Sequence, residues 1–507
     1  MPEASPQSVL IIYTGGTIGS KPRDPDPDSP QIVVPWPELK AGHPELQKLI
    51  DRGLTLIAEE IEPLDSCNVG PKQWQEIASI IERRYNEVEG VVILHGTDTM
   101  VYTASALSFM LRELAKPVIL TGAQRSALVD VRNDASQNFI TAILLACPSF
   151  TKIPVVPEVC IYFGGILLRG NRTVKRDTAG YEAYESPNLD PLGEVGDRIV
   201  IHAVRVRPLP EAGRRFHVRK TLDTNVTTVM ISPGIQETDL VKRQLDGLAA
   251  RPSSRPDAIK AAIVMAYGSG NIPTLWPDWL EDYREAHNRG MVIATVSQCK
   301  RGPVELGIYE TSALLLELGF VAASDITLEA ALCKLMVLLG DGDLTQQELE
   351  DTYQRALVGE QSTSVFITRY AVKPGTVERN NSQQVSIRIP GRALEGGWQP
   401  GHVETALLRF RDARLVSSEK PVRFTVYLNL DRPEDANEAH PGYAGVFKKE
   451  PTDGKKDQII LFDVTQVLTA LVRPGDRASF TVFLETSGAA FSWASVELAI
   501  VAKEISG

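Results

Sequence analysis

Short uninterrupted apolar runs alternate with amphipathic stretches through the first two-thirds of the chain. Val9-Leu10-Ile11-Ile12-Tyr13 and Val91-Val92-Ile93-Leu94 read as buried strands, and each runs into a polar cluster, Thr14-Gly15-Gly16-Thr17 and His95-Gly96-Thr97-Asp98-Thr99. Leu54–Ala58, Pro117–Ala123 and Val159–Phe163 repeat the strand pattern. Between them Trp74, Ile77, Ile80 and Ile81 recur at helical spacing within 72–88, and helical patterns run from Thr103 to Leu114 and from Asp134 to Ala146. This alternation predicts a mainly parallel sheet with helices on both faces.

A second, smaller α/β pattern follows in Val229–Ile231, Ile263–Ala266 and Met291–Ala294, with helices over 312–318 and 328–339. Thr345 and Glu348 read as a capping box that opens one more helix. Past about residue 359 the period drops to two. Val385, Ile387 and Ile389, Phe424, Val426 and Leu428, Phe480, Val482 and Leu484, and Val496, Leu498 and Ile500 alternate with polar neighbours, predicting an all-β antiparallel sandwich. The expected fold is therefore two α/β domains with mainly parallel sheets followed by a β-sandwich. The boundaries read as an N-terminal α/β catalytic domain over 1–204, a linker over 205–226, a smaller α/β domain over 227–358, a linker over 359–384 and the sandwich over 385–507.

The net charge of −11 over 507 residues argues against nucleic acid or an anionic membrane as the main partner. No apolar run approaches the roughly 20 residues a membrane span needs. No signal peptide is expected, because the N-terminus lacks a basic region and enters a core strand by Val9. Five scattered cysteines with no C-x-x-C pair suit a reducing cytoplasm. The seven histidines form no H-x-x-H arrangement, so no metal site is expected. The basic stretch Arg205 to Lys220 reads as a solvated interdomain linker. The Asp/Pro run from Lys21 to Pro30 cannot form helix or central strand and reads as an exposed flap.

Ligands of open α/β sheets sit beyond the carboxyl ends of the strands. The two polar clusters therefore propose a site of hydroxyls, backbone N–H groups and one carboxylate. A threonine hydroxyl needs a nearby base before it is a useful nucleophile. Thr17 sits in a glycine-rich turn open to close approach, Asp98 suits a cationic amine or an orienting role, and Lys175 desolvated beside Thr97 suits a base. His95 reads as a packed strand-end residue and Cys67 as a bystander thiol.

Taken together these segments resemble the bacterial-type L-asparaginases. Tyr13-Thr14-Gly15-Gly16-Thr17-Ile18-Gly19 and His95-Gly96-Thr97-Asp98-Thr99 are similar to the two signature motifs of that family, Asp65-Ser66 to its substrate-carboxylate turn, and Arg169–Lys175 to its catalytic-lysine segment. Ser186–Leu189 and Tyr267–Asn271 also match, and the resemblance spans about residues 8 to 340, nearer the cytoplasmic type I branch. It implies hydrolysis of L-asparagine to L-aspartate and ammonia through a threonine acyl-enzyme, with no cofactor and no metal. It implies catalytic roles for Thr17, Thr97, Asp98 and Lys175, and substrate contacts from Ser66, Gly96, Asp98, Ala123 and, in a neighbouring subunit, Asn271. It further implies a cytoplasmic homodimer or homotetramer. One departure stands out: the family's flap tyrosine has no counterpart between Lys21 and Pro30. That leaves two other readings, a catalytically impaired amino-acid sensor and a glutaminase or amidotransferase-type amidase. The C-terminal region has no counterpart in two-domain members and reads as a shielding or assembly module.

Overall fold

The computed structural model describes residues 7–24, 29–245, 259–306, 310–366, 375–377, 382–388, 403–415, 422–428, 443–449, 458–465, 477–484, 491–493 and 495–503. They fall into two compact units, one built from the chain up to Leu349 with Ala356–Ser362, the other from Glu350–Arg355 and the chain from Thr363 onward.

The first unit holds the principal sheet. Its strands are β1 (Ser8–Gly15), a flap hairpin β2 (Ser20–Pro22) and β3 (Gln31–Val33) that stands apart from the sheet, then β4 (Thr55–Leu64), β5 (Gly90–Leu94), β6 (Val118–Thr121), β7 (Val159–Phe163), β8 (Ile166–Arg169), β9 (Gly193–Val195) and β10 (Ile199–Ile201). The spatial order is β10-β9-β8-β7-β6-β5-β1-β4. Pairing is parallel from β4 through β1, β5 and β6 to β7. It is antiparallel from β7 outward. Every residue of β1 and β5 is buried, as expected of strands covered on both faces, which read as continuous apolar runs. Each fully buried Val, Leu or Ile contributes about 1.5–3 kcal/mol relative to exposure. The helices α1 (Pro71–Arg84) and α2 (Met100–Met110) pack with the sheet. α1 is amphipathic, burying Trp74, Ile77, Ala78, Ile80 and Ile81, whereas α2 is buried at nearly every position. A third helix, α3 (Ala135–Ala146), places Phe139, Ala142 and Ile143 in the core shared with β1 and β5.

The antiparallel edge was not visible as an alternation of strand and helix. β7 and β8 are joined by Gly164 (φ 58°) and Gly165 (φ 89°), a two-residue turn with both residues left-handed, the geometry that matches strand twist in a tight hairpin.

The smaller α/β domain has strands β11 (Val226–Met230), β12 (Ala261–Ala266), β13 (Val292–Ser297) and β14 (Phe320–Ala322), all parallel and in sequence order. Helix α4 (Leu328–Gly340) follows, with Thr327 Oγ1 accepting from Ala330 N at its start. The capping box at Thr345 is formed: Thr345 N donates to Glu348 Oε2 (2.9 Å) and Glu348 N to Thr345 Oγ1 (3.3 Å). Thr345→Ala is expected to cost about 1 kcal/mol, read as a lowered denaturant midpoint.

Two linker expectations need correction. The basic stretch faces solvent over much of its length, as expected, but it is also tied down by partners on other elements. Phe216 stacks on Tyr85 with centroids 3.7 Å apart, Arg219 pairs with Asp341 at 2.7 Å, Lys220 pairs with Glu82, and His217–Val218 adds antiparallel to Leu111–Arg112. Arg205, Arg214, Arg219 and Lys220 face carboxylates on neighbouring elements, which a charge count along the chain does not reveal. The 359–384 stretch carries strands Thr363–Phe366 and Gly375–Val377 and the start of Ser382–Arg388, because Val365 and Phe366 find partners more than 100 residues away in Val501 and Ile500.

In the second unit every strand pairing is antiparallel among the described residues. One sheet runs Thr363–Phe366, Ser495–Lys503, Val403–Leu415, Phe491–Trp493, Gly375–Val377, with Gln458–Asp463 also on Val403–Leu415; the other runs Ser382–Arg388, Arg477–Leu484, Val422–Leu428, Tyr443–Lys449. The period-two segments fall within these strands, Ile389 lying outside the described residues. Among the described residues no helix is long and apolar enough to cross a membrane. All five cysteines are free thiols.

Candidate active site

β1 and β5 run side by side, with Tyr13 opposite Leu94, so their two polar turns emerge together at the carboxyl edge of the sheet. The approach is so close that only glycine fits. Gly16 has φ 86°, and a Cβ there would lie 2.4 Å from Gly96 Cα; a Cβ on Gly96 would lie 2.7 Å from Ser66 Oγ. Three segments distant in sequence thus interlock through backbone. Hydrogen bonds fix them: Thr14 Oγ1 donates to Leu94 O (3.0 Å), Asp98 N to Ser66 Oγ (3.2 Å), and Thr99 Oγ1 to Ser66 O (2.6 Å).

These turns line a cavity of about 690 Å³ whose wall includes Thr17, Ser66, Gly96, Thr97, Asp98 and Gln124, with Pro22 and Gln31 of the flap hairpin at its side. Lys175 arrives on a short antiparallel pair, opposite Tyr184. Its Nζ donates to Thr97 Oγ1 (2.9 Å) and to Asp98 Oδ1 (2.6 Å). The lysine side chain is 16% exposed and the Asp98 side chain 65%, so the amine is sheltered while the carboxylate still faces the cavity. A charge-assisted contact of this kind is stronger than a neutral hydrogen bond. Chemically, a threonine hydroxyl is coupled to a lysine amine, the amine to a carboxylate, and a second threonine stands on the same cavity.

Of the remaining expected residues, Ala123 is fully buried at the end of β6 and leads into Gln124. Asn271 lies in the second domain, in a tight turn where Tyr267 N donates to Asn271 O (2.9 Å) and Asn271 N to Tyr267 O (2.8 Å). Neither is at the cavity wall of the single chain.

His95 is wholly buried, its Nδ1 2.7 Å from Gly96 O and its Nε2 2.9 Å from Thr103 Oγ1. Burial pushes its pKa down to about 4. The ring is thus neutral and structural at physiological pH. An unfolded histidine binds a proton near pH 6.5, so the unfolded state gains a proton first as pH falls. Stability is expected to decline between about pH 6.5 and 4 through this residue, checked by urea midpoints across that window.

Several supporting residues carry no local sequence signal. Tyr184 donates its hydroxyl to Thr97 O at 2.5 Å, and burial, followed by the nearby Asp98 charge, raises its pKa far above the ordinary phenol value. It is a permanent donor that holds the turn. The Asp134 carboxylate accepts from the N–H groups of Gln124 (3.0 Å) and Arg125 (2.9 Å), shaping the turn after β6. Arg172, three residues before Lys175, forms a buried two-pronged pair with Asp325 (2.8 and 2.9 Å) and donates to Asn188 O (2.8 Å). That pair ties the lysine segment to the smaller α/β domain.

Hydroxyls, a sheltered lysine and a carboxylate around one cavity at the carboxyl edge of a parallel sheet are the arrangement of an α/β hydrolytic enzyme. The family model "Asparaginase, N-terminal" matches residues 8–207 and "Glutaminase/Asparaginase C-terminal domain" matches 244–352. L-asparaginase 1 of Escherichia coli strain K12 is 36% identical over 367 residues, covering 70% of this chain and 98% of that protein. The 60 kDa lysophospholipase of Mus musculus is 34% identical over 377 residues, 69% of this chain and 62% of that protein. The crystal structure of L-asparaginase I from Vibrio cholerae O1 biovar eltor is 35% identical with a TM-score of 0.60, covering 70% of this chain and 98% of that one. The chain belongs to the asparaginase family. Both family models end before Thr363–Phe366, the first strand of the second unit.

Proposed function

We propose that the protein is an L-asparagine amidohydrolase that forms L-aspartate and ammonia through an ester on Thr17. The observation that carries this reading is Lys175 Nζ bridging Thr97 Oγ1 and Asp98 Oδ1 on the cavity that Thr17 lines. Thr17 Oγ attacks the side-chain amide carbon, the C–N bond breaks, and the hydroxyl proton leaves with ammonia. Water then attacks the ester. One water proton passes through the Thr97–Lys175 pair to Thr17 Oγ as the ester C–O bond breaks, releasing aspartate. Backbone N–H groups at Gly96-Thr97 stabilise the oxyanion, and a single donor of this kind is worth about 3 kcal/mol. The Ser66 turn receives the α-carboxylate. Asp98, with its exposed carboxylate, receives the α-amine.

Asparagine is preferred over glutamine only modestly, since one methylene is worth about 1–3 kcal/mol in a pocket. The enzyme works in the cytoplasm without cofactor, as a homodimer or homotetramer in which Asn271 of one copy reaches the site of another. The two antiparallel sheets of the C-terminal unit pack as a sandwich with a shielding or assembly role.

A second reading is supported by the flap. No tyrosine stands in its sequence, and Lys21 within it is paired with Glu38. In that reading the site binds asparagine or aspartate without turnover. An ammonia-release assay on asparagine, glutamine and small amides, run beside a binding measurement, separates them. Release from asparagine supports the hydrolase, and binding without release overturns it in favour of a sensor.

A further inference from the structure

A second cavity, of about 160 Å³, lies away from the catalytic one, where Arg112, Arg169, Asn171 and Arg207 converge. Its volume matches that of engineered cavities that take up a molecule the size of benzene, so it suits a ligand of fewer than about ten heavy atoms. Two carboxylates also reach it, and both are already engaged. Glu158 accepts from Arg169 Nε (2.5 Å), Arg169 Nη2 (3.3 Å) and the backbone N of Arg207 (2.7 Å). Glu113 accepts from Arg214 (3.1 Å). The guanidinium groups of Arg112 and Arg207 have no carboxylate within ion-pair distance among the described residues. Burial, and after it the like charges of Arg219 and Arg207, push the Arg112 pKa down, as a crowded positive pocket requires.

An independent observation comes from Asn171. It is 1% exposed, its Nδ2 donates to Val358 O (3.1 Å), and its Oδ1 is buried with no hydrogen-bond donor among the described residues. A buried acceptor left unpaired is costly, and native structures rarely leave one so. The cavity therefore offers two unpaired forks for an anion and one unpaired acceptor for an N–H or O–H.

We propose that this cavity is a binding site for a small carboxylate that also carries a hydroxyl or amino group, the carboxylate held by Arg112 and Arg207 and the donor by Asn171 Oδ1. Arginine forks recognise planar carboxylates with two hydrogen bonds each. Arg169 and Asn171 flank the turn that leads to Lys175, so an occupant abuts the segment that delivers the catalytic amine.

The test is isothermal titration of the full chain with L-malate, succinate and inorganic phosphate. L-Malate is expected to bind, and succinate, which lacks the donor for Asn171, to bind more weakly. Arg112→Gln and Arg207→Gln are each expected to weaken L-malate binding by about tenfold or more, with asparagine turnover retained as evidence of folding. Thr17→Ala is expected to leave that binding unchanged, which separates this cavity from the catalytic one. Wild-type L-malate affinity in both arginine variants, loss of L-malate binding in Thr17→Ala, or binding of phosphate without L-malate would each overturn the assignment.

Discussion

Thr17→Ala and Lys175→Met are each expected to lower asparagine turnover by about 10²–10⁴-fold with little change in melting temperature. The first removes the attacking hydroxyl. The second removes the amine that lies 2.9 Å from Thr97 Oγ1 and 2.6 Å from Asp98 Oδ1. Stability is spared for a physical reason. Thr17 is exposed in the cavity, and the Asp98 side chain, 65% exposed, stays hydrated when its partner is lost. Since the two residues act in one sequence of bond changes, the double variant is expected to be scarcely slower than the worse single one. Steady-state ammonia release checks the rates, and unchanged rates in both variants would remove this site from the reaction.

Arg172→Leu is expected to destabilise the first unit by about 3–5 kcal/mol, because it leaves the Asp325 carboxylate buried without its counter-charge. The two side chains are only 2% and 7% exposed, and Ser362 N and Oγ donate to the same carboxylate. Burial alone would raise the Asp325 pKa, but the hydrogen bonds and charge of Arg172, with Ser362, outweigh it and hold the group below its ordinary value. A carboxylate depressed in the folded state contributes stability that is complete above its unfolded pKa, near 3.9. That contribution is lost as pH falls through the lower folded value. In the variant the balance reverses: protonating Asp325 relieves an unpaired buried charge, so its deficit relative to wild type is expected to narrow on acidification. Urea midpoints at neutral and acid pH measure both effects. Arg172→Lys, which keeps the charge but loses the fork, is expected to fall between the two.

The parallel half of the fold was legible because buried strands with both faces covered are written as unbroken apolar runs. Val91–Leu94 needs no distant information to be recognised. The polar turns that follow were legible for the same reason, and β1 and β5 being neighbours brings Thr17 and Thr97 to one cavity. Lys175 could not be placed by pattern alone, since the antiparallel pair that delivers it is two residues long on each strand; only its resemblance to a family segment marked it. Tyr184, Asp134 and Arg172 act through partners 87, 10 and 153 residues away, and nothing in their neighbours announces this. The Gly164-Gly165 pair is different. It carried a readable hairpin signal that would have turned the sheet edge antiparallel. The anchoring of the basic stretch 205–220 was not legible because charge was counted along the chain, while Glu82, Glu113 and Asp341, which pair with Lys220, Arg214 and Arg219, stand on other elements.

The most direct test is the mass of the protein during turnover. In a Thr97→Val variant the ester is expected to form on Thr17 and to hydrolyse slowly, since the Thr97–Lys175 pair that activates water is broken. After mixing with asparagine, intact-mass measurement should then find the chain heavier by one aspartyl group, and peptide mapping should place it on the segment containing Thr17. An adduct on another residue, or ammonia released at the wild-type rate with no adduct at any time, would contradict the account.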